Sequence, residues 1–243
     1  MSKAYFISDA HLGLGTKEEE KVKEQRLISF LMNIQKDADS LFILGDLFDA
    51  WFEYKTVIPK GFHRIISKLD ELVQNKIAVH YLAGNHDYWM DNYFRDEIGI
   101  KIYADPFDVK IDGKKIYMHH GDGLATNDNG YLIIKKIFRS PLNIRLFKLL
   151  HPDLGIRIAR KFSVTSRKHT AHKHYGEDDG MKKAAEQKIK EGYDIVVMGH
   201  RHVPTILKIE NGLYVNLGDW INHFTYAEFT DGKIELKKWA DKV

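Results

Sequence analysis

The sequence predicts an α/β fold in which two sheets pack face to face with helices outside. Three observations predict it. Strand-like apolar runs alternate with amphipathic helical runs from residue 3 to residue 82, the pattern of successive βα units. The tail instead reads strand, turn, strand, with Asn211-Gly212 and Asp231-Gly232 as hairpin dipeptides. Five strand-like runs end in Asp, Asn or His, and open α/β sheets place ligands and chemistry at the C-terminal ends of their strands.

Residues 3–8 are the first predicted strand, apolar enough to be buried, and they deliver Asp9-Ala10-His11. Residues 17–36 have helical spacing at Val22, Leu27, Ile28, Phe30, Leu31 and Ile34, with charge between. Residues 40–44 are the second strand, leading into Gly45-Asp46-Leu47-Phe48-Asp49. Residues 59–74 read as a helix with Pro59 near its start and Phe62, Ile65, Ile66, Leu69 and Leu72 on one face. Residues 78–82 are the third strand, broken by Gly84 and followed by Asn85-His86-Asp87. Residues 101–111 and 114–119 are two more strands joined at Asp112-Gly113, and the second delivers His120-Gly121-Asp122. A helix over 178–191 and a strand over 194–198 lead to Gly199-His200-Arg201-His202. Residues 205–210, 213–217, 226–229 and 234–239 complete the strands.

The 243 residues suit one large domain carrying an insertion, and no linker, repeat or low-complexity tract divides them. Hydrophobic residues at 44% and charged residues at 29% argue against disorder. There is no cysteine, which excludes disulfides and thiolate chemistry and leaves imidazole, carboxylate and amide as metal ligands. The N-terminus runs directly into a strand without a signal pattern, so a cytoplasmic protein is expected. No apolar run approaches the roughly 20 residues that span a bilayer.

Charge is unevenly placed. Between residues 129 and 175, eleven Lys and Arg face Asp153 alone, a net of +10, so the rest of the chain carries −7 within the total of +3. The same segment has helical apolar faces, including Ile133, Ile134, Ile137, Leu146, Phe147 and Ile156, and is punctuated by Pro141, Pro152 and Gly155 into two or three helices. Faces this apolar are expected to pack on something. A cationic amphipathic segment fits an anionic membrane surface or a lipid pocket, which is the preferred reading. Nucleic acid is a weaker one, and a solvated or oligomeric face is the third. Nothing in the sequence indicates an oligomeric state.

Asp9, His11, Asp46, Asn85, His120, His200 and His202 are the candidate metal ligands. Seven oxygen and nitrogen donors suffice for two divalent ions sharing Asp46, and the donor types suit Mn²⁺, Fe or Zn²⁺. Two ions about 3.5–4 Å apart clamp the attacking and leaving oxygens of a phosphoryl displacement. Asp49, Asp87 and Asp122 can orient imidazoles, or equally cap turns. His86, between a ligand and a carboxylate, can protonate a leaving oxygen or stabilise phosphoryl charge. His119 is expected to face away from His120. His169, His172 and His174 are taken as surface residues, and Asn216-Leu217-Gly218-Asp219-Trp220 as a strand end and turn.

Asp-x-His, Gly-Asp-x-x-Asp, Gly-Asn-His-Asp, His-Gly-Asp and Gly-His-x-His, in this order, resemble the calcineurin-like metallophosphoesterase superfamily. The resemblance covers the strand ends of essentially the whole chain outside the basic segment. It implies an α/β, four-layered α/β/β/α metallophosphoesterase sandwich, a single domain over 1–243 with 129–176 as a basic helical lid. It implies one metal held by Asp9, His11, Asp46 and His202 and the other by Asp46, Asn85, His120 and His200. Mn²⁺ is the expected ion, with Fe or Zn²⁺ as alternatives.

Ser8-Asp9-Ala10-His11-Leu12-Gly13, Gly45-Asp46-Leu47-Phe48-Asp49-Ala50-Trp51 and His120-Gly121-Asp122-Gly123-Leu124 more narrowly resemble the UDP-2,3-diacylglucosamine diphosphatase family. So do Asp128, Tyr131, the basic insertion and Gly199-His200-Arg201-His202-Val203-Pro204. That resemblance implies cleavage of the pyrophosphate of a UDP-linked diacylated sugar to a lipid monophosphate and UMP, in lipid A biosynthesis. The enzyme would sit on the inner face of the cytoplasmic membrane with a lid around the acyl chains. Trp51, Asp128, Tyr131, Ser166, Arg167 and Lys173 are implied near the substrate. The chain has His86 where that family carries Arg, and one alignment of the lid sets Ser163 against a family Arg. His86 returns the chain to the superfamily pattern, in which this histidine is catalytic. The alternatives are another metallophosphoesterase, such as a general phosphodiesterase or nuclease, and last a non-catalytic scaffold.

Overall fold

The computed structural model of the chain describes residues 2–124, 129–170 and 180–240, with the side chains of 129, 131 and 164–170 outside that description. The first sheet contains β1 (Ala4–Ile7), β2 (Ser40–Leu44), β3 (Ala78–Leu82), β4 (Lys101–Tyr103), β10 (Thr225–Thr230) and β11 (Lys233–Lys238). Its order is β11-β10-β1-β2-β3-β4, with β1 to β4 parallel and β10 antiparallel to β1. The second sheet contains β5 (Phe107–Ile111), β6 (Lys114–His119), β7 (Ile195–Met198), β8 (Thr205–Ile209) and β9 (Gly212–Asn216), in the order β5-β6-β7-β9-β8.

Strand alternation generates the layers, because successive side chains point to opposite faces. In β1, Tyr5 and Ile7 pack on the helices α1 (Lys17–Ile34) and α2 (His63–Gln74), through Leu27, Phe30, Leu31, Ile65 and Leu69. Ala4 and Phe6 face the other way, with Phe42 and Leu44, onto Ile116, Met118, Ile195, Val197 and Val215 of the second sheet. The Phe6 and Phe42 rings stack at 4.8 Å. Beyond that sheet, Val196, Met198 and Tyr214 bury Met181, Ala185 and Ile189 of α6 (Gly180–Lys190). The result is the four-layered α/β/β/α sandwich.

Local signals set most element ends. Thr16 caps α1 in a reciprocal box with Glu19. Asp112 and Asp231 take positive φ beside Gly113 and Gly232 at two hairpin turns, and at the third Glu210 takes it in a Glu210-Asn211 turn, with Gly212 already in β9. Two expectations need correction. The run over 101–111 is two strands, not one: Pro106 cannot donate to a ladder, and the chain crosses there from the first sheet to the second. The helix expected from residue 59 begins at His63, after Gly61 at φ 106°.

The basic segment forms α3 (Asn129–Arg139), α4 (Pro141–Phe147) and α5 (Pro152–Thr170), with Pro141 and Pro152 each opening a helix. Its apolar faces are covered only in part. Phe147 packs on Phe52 and Trp89, and Phe138 on Trp89. Ile133, Ile137, Leu142, Leu146 and Leu149 stay exposed, Leu149 by 81%. Nothing in the body of the protein, among the described residues, covers them. Among the described residues no helix is long and apolar enough to cross a membrane.

Candidate metal centre

The loops that follow β1, β2, β3, β6 and β7 meet at one edge of the sandwich. Asp9, His11, Asp46, His200 and His202 all have positive φ, at 54°, 43°, 54°, 68° and 56°. L-residues seldom adopt that conformation, and where they do the surroundings must enforce it. Here backbone hydrogen bonds do so: Asp9 N–H donates to Gly45 O at 3.1 Å, His11 N–H to Asp46 O at 2.9 Å, and Trp220 N–H to Asp9 O at 3.1 Å. Glycine permits the close approach of the loops. A Cβ on Gly84 would lie 2.6 Å from Asp46 N and overlap the Asp46 carboxylate, and one on Gly199 would lie 2.6 Å from Asp9 Oδ2.

All seven predicted ligands come together. Asp9 Oδ1 is 3.3 Å from His202 Nε2 and 3.8 Å from His11 Nε2, and the two imidazole nitrogens are 3.3 Å apart. Asp46 Oδ2 lies between the halves, 3.6 Å from His11 Nε2 and 3.3 Å from His120 Nε2. Asn85 Oδ1 is 3.0 Å from His120 Nε2, and His200 groups with Asp46 and His120. Each carboxylate has one oxygen committed to an amide: Asp9 Oδ2 accepts from His200 N–H at 2.8 Å and Asp46 Oδ1 from His86 N–H at 2.9 Å. The remaining Asp9 oxygen is buried with no hydrogen-bond partner. A buried, unpartnered carboxylate oxygen among imidazoles is costly unless a cation completes it. The donor set of carboxylate, imidazole and amide oxygen therefore fits divalent ions.

Electrostatics agree. Burial disfavours a charged His11, but Asp49, Asp9 and Asp46 outweigh it and raise its imidazole to about 9. Burial likewise opposes charge on His120, but Asp46 raises it to about 10. Burial and the neighbouring His120 push His200 down to about 4. Against burial, the imidazoles hold Asp9 and Asp46 well below the usual carboxylate range. Without metal, this cluster recruits protons to balance its carboxylates; cations in their place would displace them.

The three supporting carboxylates behave differently. Asp49 Oδ1 is 3.4 Å from His11 Nδ1, and the Asp49 carbonyl lies 3.0 Å from His86 Nδ1. Asp87 takes the turn-capping role, the second of the two expected for it. It accepts from the backbone N–H groups of Leu47 and Gly84, each at 2.8 Å, and from the Tyr81 hydroxyl, so it ties two ligand loops together. Asp122 pairs with Lys135 at 2.7 Å and Arg139 at 3.4 Å, which anchors α3 beside the site. Burial opposes its ionisation, but His120 and Lys135 hold it below the usual range.

Trp51 is 1% exposed, donates to Glu53 at 3.0 Å and packs on Phe48, Phe62 and Phe94, so its ring lies in the core. Asp128 and Lys173 lie outside the described residues, as do the side chains of Tyr131, Ser166 and Arg167.

Three supporting roles escaped the sequence reading. Lys23, 9% exposed, donates to His11 O at 2.7 Å and pairs with Glu20, which accepts from Gly13 and Gly15 N–H. Its signal was there: Lys23, Leu27 and Leu31 repeat every four residues on one buried stripe. Asp219 collects the N–H groups of Ile221, Asn222 and His223 and lies 4.0 Å from His202 Nδ1. Ser163 donates to Asp49 at 2.9 Å across 114 residues of sequence, and no local pattern encodes it.

Comparison with known proteins identifies the family. Residues 2–204 match the family model described as calcineurin-like phosphoesterase. The UDP-2,3-diacylglucosamine hydrolase of Porphyromonas gingivalis is 31% identical, over 99% of this chain and 98% of that one. The protein of the same name from Coxiella burnetii is 29% identical over 98% of both. The solved structure of an archaeal phosphodiesterase superposes with a TM-score of 0.50 at 14% identity, covering 97% of this chain and 98% of that one, and this likeness concerns the fold alone.

Proposed function

The chain belongs to the calcineurin-like phosphoesterase family and is a hydrolase, and from that premise we propose that it cleaves the pyrophosphate of a UDP-2,3-diacylglucosamine-like lipid with two divalent metal ions. The products are then a lipid monophosphate and UMP. The reading rests on one conjunction: seven oxygen and nitrogen donors around Asp46, in a chain whose relatives carry that substrate in their name.

Asp9, His11, Asp46 and His202 would hold one ion, and Asp46, Asn85, His120 and His200 the other. A bound pair supplies neutralisation of phosphoryl charge and a lowered pKa for the attacking water. Mn²⁺ suits the donors, with Fe or Zn²⁺ as alternatives. His86 is the acid. Its Nδ1 faces the Asp49 carbonyl, which leaves Nε2 as the nitrogen that carries a mobile proton. Burial pushes the His86 imidazole down, against the attraction of the Asp46 charge, so the imidazolium is the minor form; in that form His86 donates the Nε2 proton to the departing phosphate oxygen or stabilises charge on it.

Residues 129–176 act as the lid. Asp122 and Trp89 seat it, the latter donating to Phe138 O at 2.8 Å. Its exposed Ile, Leu and Phe side chains among Lys and Arg suit a lipid substrate and the inner face of the cytoplasmic membrane. A general phosphodiesterase or nuclease is the second reading, favoured by His86 standing where the relatives' family carries Arg. Purified protein with Mn²⁺ should release UMP from UDP-2,3-diacylglucosamine. Turnover of simple diesters or DNA, with no UMP from the lipid, overturns the substrate.

A further inference from the structure

One loop carries two of the seven donors, one for each proposed ion. The chain leaves β7 at Met198, passes through Gly199 to Pro204 and enters β8 at Thr205. β9 lies between those two strands, and its last residue, Asn216, is paired with Met198 on one side and with Thr205 on the other. The loop therefore arches over the end of β9, and Asn216 sits between its two feet. His200 and His202 belong to this arch, both at positive φ.

Asn216 is 1% exposed, and its amide makes two bonds in different directions. Oδ1 accepts from Gly218 N–H at 3.2 Å, which closes the turn after β9. Nδ2 donates to Gly199 O at 2.8 Å, which crosses to the ligand loop. An amide can accept and donate at once, whereas a carboxylate only accepts. Gly199 O, which also accepts from Arg201 N–H at 2.8 Å, belongs to the same peptide as His200 N–H. That peptide is planar, so a hold on its carbonyl aims its N–H. The N–H donates to Asp9 Oδ2 at 2.8 Å, and this bond turns Asp9 Oδ1, the buried oxygen without a partner, toward the imidazoles.

We propose that Asn216 is a positioning residue for both ions: through the Gly199–His200 peptide it aims the Asp9 carboxylate, and it sets the arch that carries His200 and His202. Its effect on metal rests on the two-ion reading above and not on the lipid substrate; the hold on the peptide rests on neither.

The test compares Asn216→Ala with Asn216→Asp at pH 8, where the new carboxyl is ionised. Asn216→Asp keeps the acceptor for Gly218 N–H and removes the donor to Gly199 O. Both variants should weaken Mn²⁺ binding about 10–100-fold, as for other outer partners of metal ligands, in titrations followed by electron paramagnetic resonance. In the metal-free protein, amide exchange should quicken about tenfold or more at His200 in both variants and stay at the wild-type rate at Val197 in β7. Wild-type exchange at His200, wild-type Mn²⁺ affinity, or a loss confined to Asn216→Ala overturns the proposal and leaves Asn216 a turn residue. If Asn216→Ala does not fold, Asn216→Asp alone decides. A wild type that takes up fewer than two ions removes the two-ion reading, while faster exchange at His200 in the same variants still supports the hold on the peptide.

Discussion

Replacing Gly84 by Ala should disable the enzyme through a single methyl group. The added Cβ would overlap Asp46 Oδ1 and lie 2.6 Å from Asp46 N and 2.8 Å from Asp46 Cγ, where ordinary contact begins at 3.4 Å, so the Asp46 backbone must retreat by about 0.8 Å and its carboxylate by more. It has little room to do so. Its φ is 54°, its carbonyl accepts from His11 N–H at 2.9 Å, and its Oδ1 accepts from His86 N–H at 2.9 Å. Any retreat therefore drags His11 and His86 with it. A displacement of this size at reacting groups costs about 10²-fold in rate. Overpacking of a rigid site costs about 1–3 kcal/mol in stability. The assay is kcat/KM on an aryl phosphodiester at saturating Mn²⁺, with metal stoichiometry and a urea midpoint measured on the same sample. Wild-type turnover with two ions bound per chain would refute the claim that Gly84 is required by the packing of Asp46.

Other perturbations separate the remaining roles. His86→Ala should keep both metals bound and slow turnover by about 10²-fold or more, as for a lost general acid; unchanged turnover removes it from the chemistry. Lys23→Met should weaken metal binding and cost about 1–3 kcal/mol, because it leaves the His11 carbonyl and Glu20 without their cation. Lys23→Arg should recover part of the loss, and titrated Mn²⁺ binding decides. Chelation should abolish hydrolysis, and Mn²⁺ at a hundredfold excess over Kd should add about 2.7 kcal/mol to the unfolding free energy for each ion bound. Activity that survives exhaustive chelation contradicts the metal centre. In the metal-free protein, burial and the Lys101 charge push His80 down to about 4 from 6.5. The fold favours neutral His80, so this contribution is full above pH 6.5 and shrinks as pH falls from 6.5 toward 4. Urea midpoints at pH 5 and 7.5 should differ less in His80→Phe than in the wild type.

The elements of the sandwich could be read from the sequence because each strand face is apolar on a two-residue period and each helix on a longer one. β2, β3 and β6 begin and end where periodicity put them, at Ser40–Leu44, Ala78–Leu82 and Lys114–His119. Periodicity does not say which sheet a strand joins, so the crossing at Pro106 and the return of the last hairpin to β1 emerged only from the fold. The seven donors were legible because each ends a strand in a short polar motif. The burial of the Trp51 ring was not legible, because a family motif names a residue without saying which way its ring points. Asp87 stayed open between two roles because a carboxylate beside a histidine can as readily serve the backbone. Ser163 was invisible because its hydrogen bond spans a long loop closure.

The left-handed backbone at Asp9, His11, Asp46, His200 and His202 restricts how this centre can be altered. Aspartate, asparagine and histidine tolerate that conformation several-fold better than other side chains, and β-branched residues tolerate it badly. The palette for redesigning these five positions toward a different cation is thus narrowed before any coordination preference is considered. Gain of a new ion by reshuffling Asp, Asn and His is within reach of single changes, whereas introducing Val, Ile or Thr there would have to rebuild the loop first.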